Sequence, residues 1–181
     1  DARKPQVIRK WQLSDFSEVT VKTDEQTVMA GMQAYVKARC NQCHIVAGHG
    51  INLGPDLTDV HKRFQGLKLL QQVLEPSSEI HKEFTTHKFL LKNGQVLSGV
   101  ITKETANDYH VVTNLLLPKS VTRIRKKQVE HRALSTISAM PEGLLDVLTK
   151  EEILSVLGFM ENGGYQLPPH LEHGHDKHKQ P

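Results

Sequence analysis

The segment Gly31-Met32-Gln33-Ala34-Tyr35-Val36-Lys37-Ala38-Arg39-Cys40-Asn41-Gln42-Cys43-His44 decides the reading of this chain. Met32, Tyr35 and Val36 recur at helical spacing, so a helix is expected to deliver the chain into Cys40. In a Cys-x-x-Cys-His run the two thiols can reach the two vinyl positions on one edge of a haem while the adjacent imidazole is held beneath the iron. Cys40 and Cys43 are thus read as the attachment points of one covalently bound haem c, and His44 as an axial ligand. A zinc site would need two more well-spaced ligands, and the chain has no second cysteine pair. A redox dithiol of the thioredoxin kind would want a preceding strand, where a helix is expected instead. A disulfide closing so small a loop would stabilise a chain of this length poorly.

Downstream, Gly48, Gly50, Gly54 and Pro55 argue for an irregular wrap over 48–58. Such a wrap would let a backbone carbonyl accept the Nδ1 proton of the ligating imidazole and fix its tautomer. Leu53 and Leu57 would then line the haem.

The sixth coordination position of the iron has several candidates: Met29, Met32, Met140, Met160 and the remaining histidines. Met29 and Met32 stand on the delivering helix and read as core filler. Met160 falls on an apolar stripe with Ile153, Leu154 and Leu157 and reads as packing. Met140 differs, because Pro141 restricts its backbone and holds it in a loop ahead of a helix. That last helix is bounded by a capping-box pair, Thr149 and Glu152, and by the stop Asn162-Gly163-Gly164, and it is expected to cross the helix leading into Cys40.

Between these landmarks the pattern changes. Residues 66–74 predict a short amphipathic helix ended by Pro76. Strands are expected over 84–91 and 96–103 around an Asn93-Gly94 turn, then over 109–116, 121–125 and 129–132. Gly99 suggests a bend or bulge. Five short antiparallel strands predict a small barrel-like module, serving as a shield for the haem or as a docking face.

Composition sets outer bounds. With 181 residues, 38% apolar and 5% aromatic, the chain can build one core, and a macrocycle would occupy volume that side chains otherwise fill. A net charge of +3 suits weak docking to an acidic partner better than a nucleic-acid groove. The densest basic run, Arg123, Arg125, Lys126 and Lys127, reads as a solvated strand edge. No stretch is long and apolar enough to span a bilayer. The start at Asp1 is that expected of a processed or excised chain. Trp11 reads as the anchor of an N-terminal extension. The tail after Leu167, with His170, His173, His175 and His178, reads as mobile, with metal binding as the alternative.

Taken together, these motifs resemble the haem-binding c-type cytochrome domain common in proteins of planctomycetes and verrucomicrobia, often found at the C-terminus of large secreted or membrane-associated sugar-dehydrogenase-like proteins. The resemblance runs from about Trp11 to Gly163. It is carried by Gly31 to His44, Gly54-Pro55-Asp56-Leu57-Thr58, Leu74-Glu75-Pro76-Ser77 followed by Ile80, the strands with Gly94 and Gly99, and Ser138-Ala139-Met140-Pro141-Glu142-Gly143-Leu144. It implies a mainly α, class I-like cytochrome c fold carrying an inserted antiparallel β barrel-like module. It also implies His44 and Met140 as axial ligands and the Pro55 carbonyl as the support of His44. The expected organisation is an N-terminal extension over 1–25, a haem-binding domain over 26–83 and 133–163, the β module over 84–132, and the His-rich tail over 164–181. Phe84 stands where an aromatic, often tyrosine, is found in that family; the large catalytic domain of many such proteins is absent, so an independent carrier or an excised piece is expected, and the His-rich tail is not part of the shared pattern.

The function expected is that of an electron carrier rather than an enzyme, periplasmic or otherwise extracytoplasmic. Its partner would be a redox protein, either a dehydrogenase or a component of a terminal-oxidase pathway. The alternatives are a haem enzyme, or a gas or redox sensor, with a labile sixth ligand.

Overall fold

The computed structural model describes residues 6–115, 117 and 119–164; the His-rich tail lies outside them. The described residues form three α-helices: α1 (Glu25–Lys37), α2 (Gly66–Leu74) and α3 (Lys150–Glu161). Two strands, β1 (Ile45–Val46) and β2 (His49–Gly50), form a small hairpin. A separate antiparallel sheet contains β3 (His87–Leu91), β4 (Val96–Glu104), β5 (Asp108–Val112), β6 (Val121–Arg125) and β7 (Val129–Leu134), in the order β6-β5-β4-β3-β7. Among the described residues no helix is long and apolar enough to cross a membrane.

This architecture corrects the expectation of a mainly α, class I-like cytochrome fold. The chain is mixed α and β and rich in sheet, with strands claiming as many residues as α-helices. The physical reason is that the strands bury a core of their own. Phe89, Leu91, Val111 and Ile124 pack together on one face, apart from the helical core. The five strands also stop short of a closed barrel, since β6 and β7 are edge strands that do not pair.

The helical core is organised by the crossing of α1 and α3. Gly31 meets α3 so closely that a Cβ there would lie 2.0 Å from the Ser155 carbonyl oxygen. Val28, Ala34 and Tyr35 fill the α1 side of that contact, and Ile153, Leu157, Phe159 and Met160 the α3 side. Tyr35 and Phe159 stack with ring centroids 5.2 Å apart. Both helices are capped by side chains that satisfy otherwise orphaned amides. Asp24 accepts from the Thr27 amide at 3.0 Å, and Thr149 with Glu152 forms a full capping box.

The inward face of α1 differs from the one its apolar residues suggested. Met29, Met32 and Val36 are exposed, and Val28, Gly31, Ala34 and Tyr35 take the inward positions. At the crossing point itself a large side chain would hold α3 away, so the helices approach through Gly31 and Ala34. Met160, by contrast, is buried within the helical core.

The N-terminal segment is tied to the region preceding α3. The Trp11 indole N–H donates to the Leu148 carbonyl at 3.0 Å, and its backbone amide donates to Asp146 at 3.1 Å. In the sheet, Lys88 lies opposite Ser98 and Val100 opposite Val112. Strand alternation therefore puts these four on one face and the Phe89 core on the other.

Candidate functional site

Helix α1 ends at Lys37, and Arg39 then turns the chain in a left-handed conformation, φ 64°. A single turn of 3-10 helix follows over Cys40–Gln42, in which the Cys40 carbonyl accepts the amides of both Cys43 and His44, at 3.1 and 3.0 Å. This tight turn fixes the two thiols and the imidazole relative to one another. Cys40 is buried, Cys43 is half-buried, and the two are not bridged.

Both thiols are held protonated. Burial pushes Cys40 up to about 12, and burial likewise raises Cys43. A redox dithiol wants the opposite shift, towards an accessible thiolate. Among the described residues no group of three or more His, Cys, Asp and Glu side chains is arranged to hold a metal ion.

The wrap after His44 closes back onto it. The Cys43 carbonyl accepts the amides of Leu53 and Gly54, at 3.0 and 2.7 Å, and the Ile45 carbonyl accepts that of Leu57 at 2.8 Å. The Thr58 hydroxyl accepts the Ala47 amide and donates to Asp56, locking the hairpin to the Gly54-Pro55-Asp56-Leu57-Thr58 run. At the centre, His44 Nδ1–H donates to the Pro55 carbonyl at 2.8 Å. With Nδ1 so engaged, the lone pair of the neutral ring lies on Nε2, the tautomer a metal ligand requires. Burial lowers the His44 pKa, against the raising effect of the Pro55 carbonyl, and so favours that neutral ring.

Gly54 seats the imidazole, since a Cβ there would fall 2.6 Å from His44 Cε1. Leu53 is buried, while Leu57 is half-buried and packs on the helical core. The structure thus gathers Cys40, Cys43, His44, Leu53 and Pro55 around one turn and its returning loop.

Met140 stands on a separate loop and is half-buried. Its amide donates to the Ser138 hydroxyl at 3.1 Å, and the Ser138 amide donates to the Ser77 hydroxyl at 3.1 Å. On the other side the loop runs into a 3-10 turn, Leu144–Val147, whose Leu145 is buried in the helical core. Of the four methionines, two are exposed on α1 and one is buried on α3, which leaves Met140 as the thioether held in a loop.

Three features of the site carried no sequence signal read in advance. The Ser77–Ser138 bond joins distant segments, and no local pattern announces it. Gly54 was legible as a loop residue but not as a seat for the ring. The Tyr35 hydroxyl is fully buried without a hydrogen-bond partner among the described residues. Burial, and then the nearby Cys40, Cys43 and Asp56, push its pKa upward, so it stays a neutral donor.

The donor set fits a covalently attached haem. Two reduced thiols on one turn, a neutral imidazole with Nδ1 engaged, a loop-held thioether and an unpartnered buried hydroxyl near the thiols are all chemistry such a group would use. Cys40 and Cys43 would hold its vinyl edge, and His44 and Met140 its iron. No protein-family model matches the chain, and no curated protein matches it.

Proposed function

We propose that this chain is a single-haem c-type cytochrome that passes electrons between extracytoplasmic redox partners through an iron ligated by His44 and Met140. The observation that carries the reading is the His44 imidazole, one residue after a reduced cysteine pair, held by Gly54 and the Pro55 carbonyl in the tautomer that ligates through Nε2. The resemblance to the planctomycete and verrucomicrobial haem domains supports it through the same residues.

A haem so held supplies one-electron chemistry, and a thioether as sixth ligand raises its potential. The chain's residues bind, orient and shield. Cys40 and Cys43 prevent loss of the group, Pro55 raises the donor strength of His44, and the Ser138 and Ser77 bonds hold the Met140 loop in place. The chain's partner would be a redox protein, a dehydrogenase or a terminal-oxidase component, meeting it at a small, transient interface.

The test is an optical and EPR comparison of the chain, produced with haem-attachment machinery, with its Met140→Ala variant. The variant is expected to keep covalent haem and lose the low-spin His/Met spectrum. An unchanged spectrum would remove Met140 from the iron. A high-spin, five-coordinate wild type would instead favour a haem enzyme or sensor.

A further inference from the structure

The five-stranded sheet and the Met140 loop enclose an open cleft of about 310 Å³. Its floor is the sheet face opposite the Phe89 core, carrying Lys88, Ser98, Val100 and Val112, and its wall is the segment leading to Met140, including Ser135 and Ser138. Among the described residues Lys88 is the one charged side chain lining it. No residue of the Cys40–Thr58 turn and wrap lines it.

The hydroxyls in the wall have a particular polarity. Ser135 Oγ accepts the Ile137 amide and Ser138 Oγ accepts the Met140 amide, both at 3.1 Å. Each therefore spends a lone pair on the backbone and retains its own O–H proton to donate. With the Lys88 ammonium on the floor, the cleft offers hydrogen-bond donors beside the apolar side chains of Val100 and Val112. That is a receptor for carboxylates on short aliphatic arms.

We infer that this cleft receives the propionate edge of the haem, with Lys88 and the Ser135 and Ser138 hydroxyls as positioning residues. The inference rests on the haem reading above and assigns the β sheet a task within it. Cys40 and Cys43, holding a haem by its vinyl edge, would leave its two propionates directed away from the cysteines. The cleft lining reaches Ala139, the residue next to Met140, the proposed ligand of the same iron, and is built from segments remote in sequence from the cysteine turn. It is too small for the macrocycle but suits two carboxyethyl arms. Lys88 would offset their charge, stabilise the reduced iron, and hold the carboxylates ionised to lower pH.

The experiment is a potentiometric titration, across pH, of the haem-loaded chain and two variants. Lys88→Met removes the charge from an exposed strand position, and Ser98→Trp plugs the cleft from another. Both are expected to retain covalent haem. Lys88→Met should lower the reduction potential and move its carboxylate-linked pH dependence to higher pH. Ser98→Trp should shift the potential and weaken the low-spin spectrum. Attached haem with a potential–pH curve unchanged in either variant overturns this inference and leaves the haem reading standing. A wild-type chain that takes up no covalent haem removes both.

Discussion

Gly54 lies against the face of the His44 ring, with only 2.6 Å between an added Cβ and His44 Cε1. The ring cannot yield freely, because its Nδ1 is tied to the next residue's carbonyl, Pro55 O, at 2.8 Å. Gly54→Ala must therefore move the imidazole or break that bond. The expected cost is about 1–3 kcal/mol of folding stability, the usual penalty of overpacking. Urea denaturation of the haem-free chain measures it, and an unchanged midpoint would show that the ring is not seated by Gly54.

Gly31 plays a comparable part at the crossing of α1 and α3, where an added Cβ would meet a backbone oxygen rather than a side chain. Gly31→Leu should destabilise by about 3 kcal/mol or more, because neither backbone can move without repacking the core. Met32→Gln, on the exposed face of the same helix, should stay within about 0.5 kcal/mol of wild type. Equal effects in thermal or urea unfolding would contradict the assignment of the two faces.

How much of this was legible in the sequence follows from where the signal was local. Helix α2 runs over the span its periodicity predicted, Asn93-Gly94 turns β3 into β4, and the capping box opens α3, since each depends on neighbours in the chain. Side-chain type alone misassigned α1. Met29 and Met32 read as core on hydrophobicity, whereas the demand for close approach to α3 placed Gly31 and Ala34 inward, beside Val28 and Tyr35. The alternating pattern showed the strands but not that they would build a second core, and so the balance of helix to sheet was misjudged. The 82–84 segment became a 3-10 turn, which delays β3 to His87.

Glu152 makes folding stability depend on pH. Burial raises its pKa, but the Lys37 ammonium, 2.7 Å away, and the Thr149 backbone amide outweigh this and hold the carboxyl below its ordinary range. A carboxyl lowered in the folded state contributes stability that is fully present above its unfolded value, about 4.3, and is lost as pH falls through the folded value. Glu152→Gln should cost about 1 kcal/mol or less at neutral pH, a modest figure for a partly exposed pair, and nothing at the acid end. Urea midpoints at neutral pH and at about pH 3 distinguish this from a pH-independent loss.

Tyr35 makes the haem-free chain carry a buried hydroxyl without a partner among the described residues. Removing an unsatisfied buried group is neutral or favourable, so Tyr35→Phe should leave stability unchanged or raise it by up to about 1 kcal/mol. A loss above about 1 kcal/mol in urea denaturation would show that the hydroxyl is already satisfied within the polypeptide.

The central claim is that Cys40 and Cys43 carry a haem covalently beside His44. It is met most directly by mass spectrometry under denaturing conditions on the chain produced with haem-attachment machinery, alongside the Cys40→Ala/Cys43→Ala double variant. The wild-type mass is expected to be raised by one haem and the double variant to lack it. A wild-type chain at its bare polypeptide mass, or a double variant that keeps the haem, would contradict the claim.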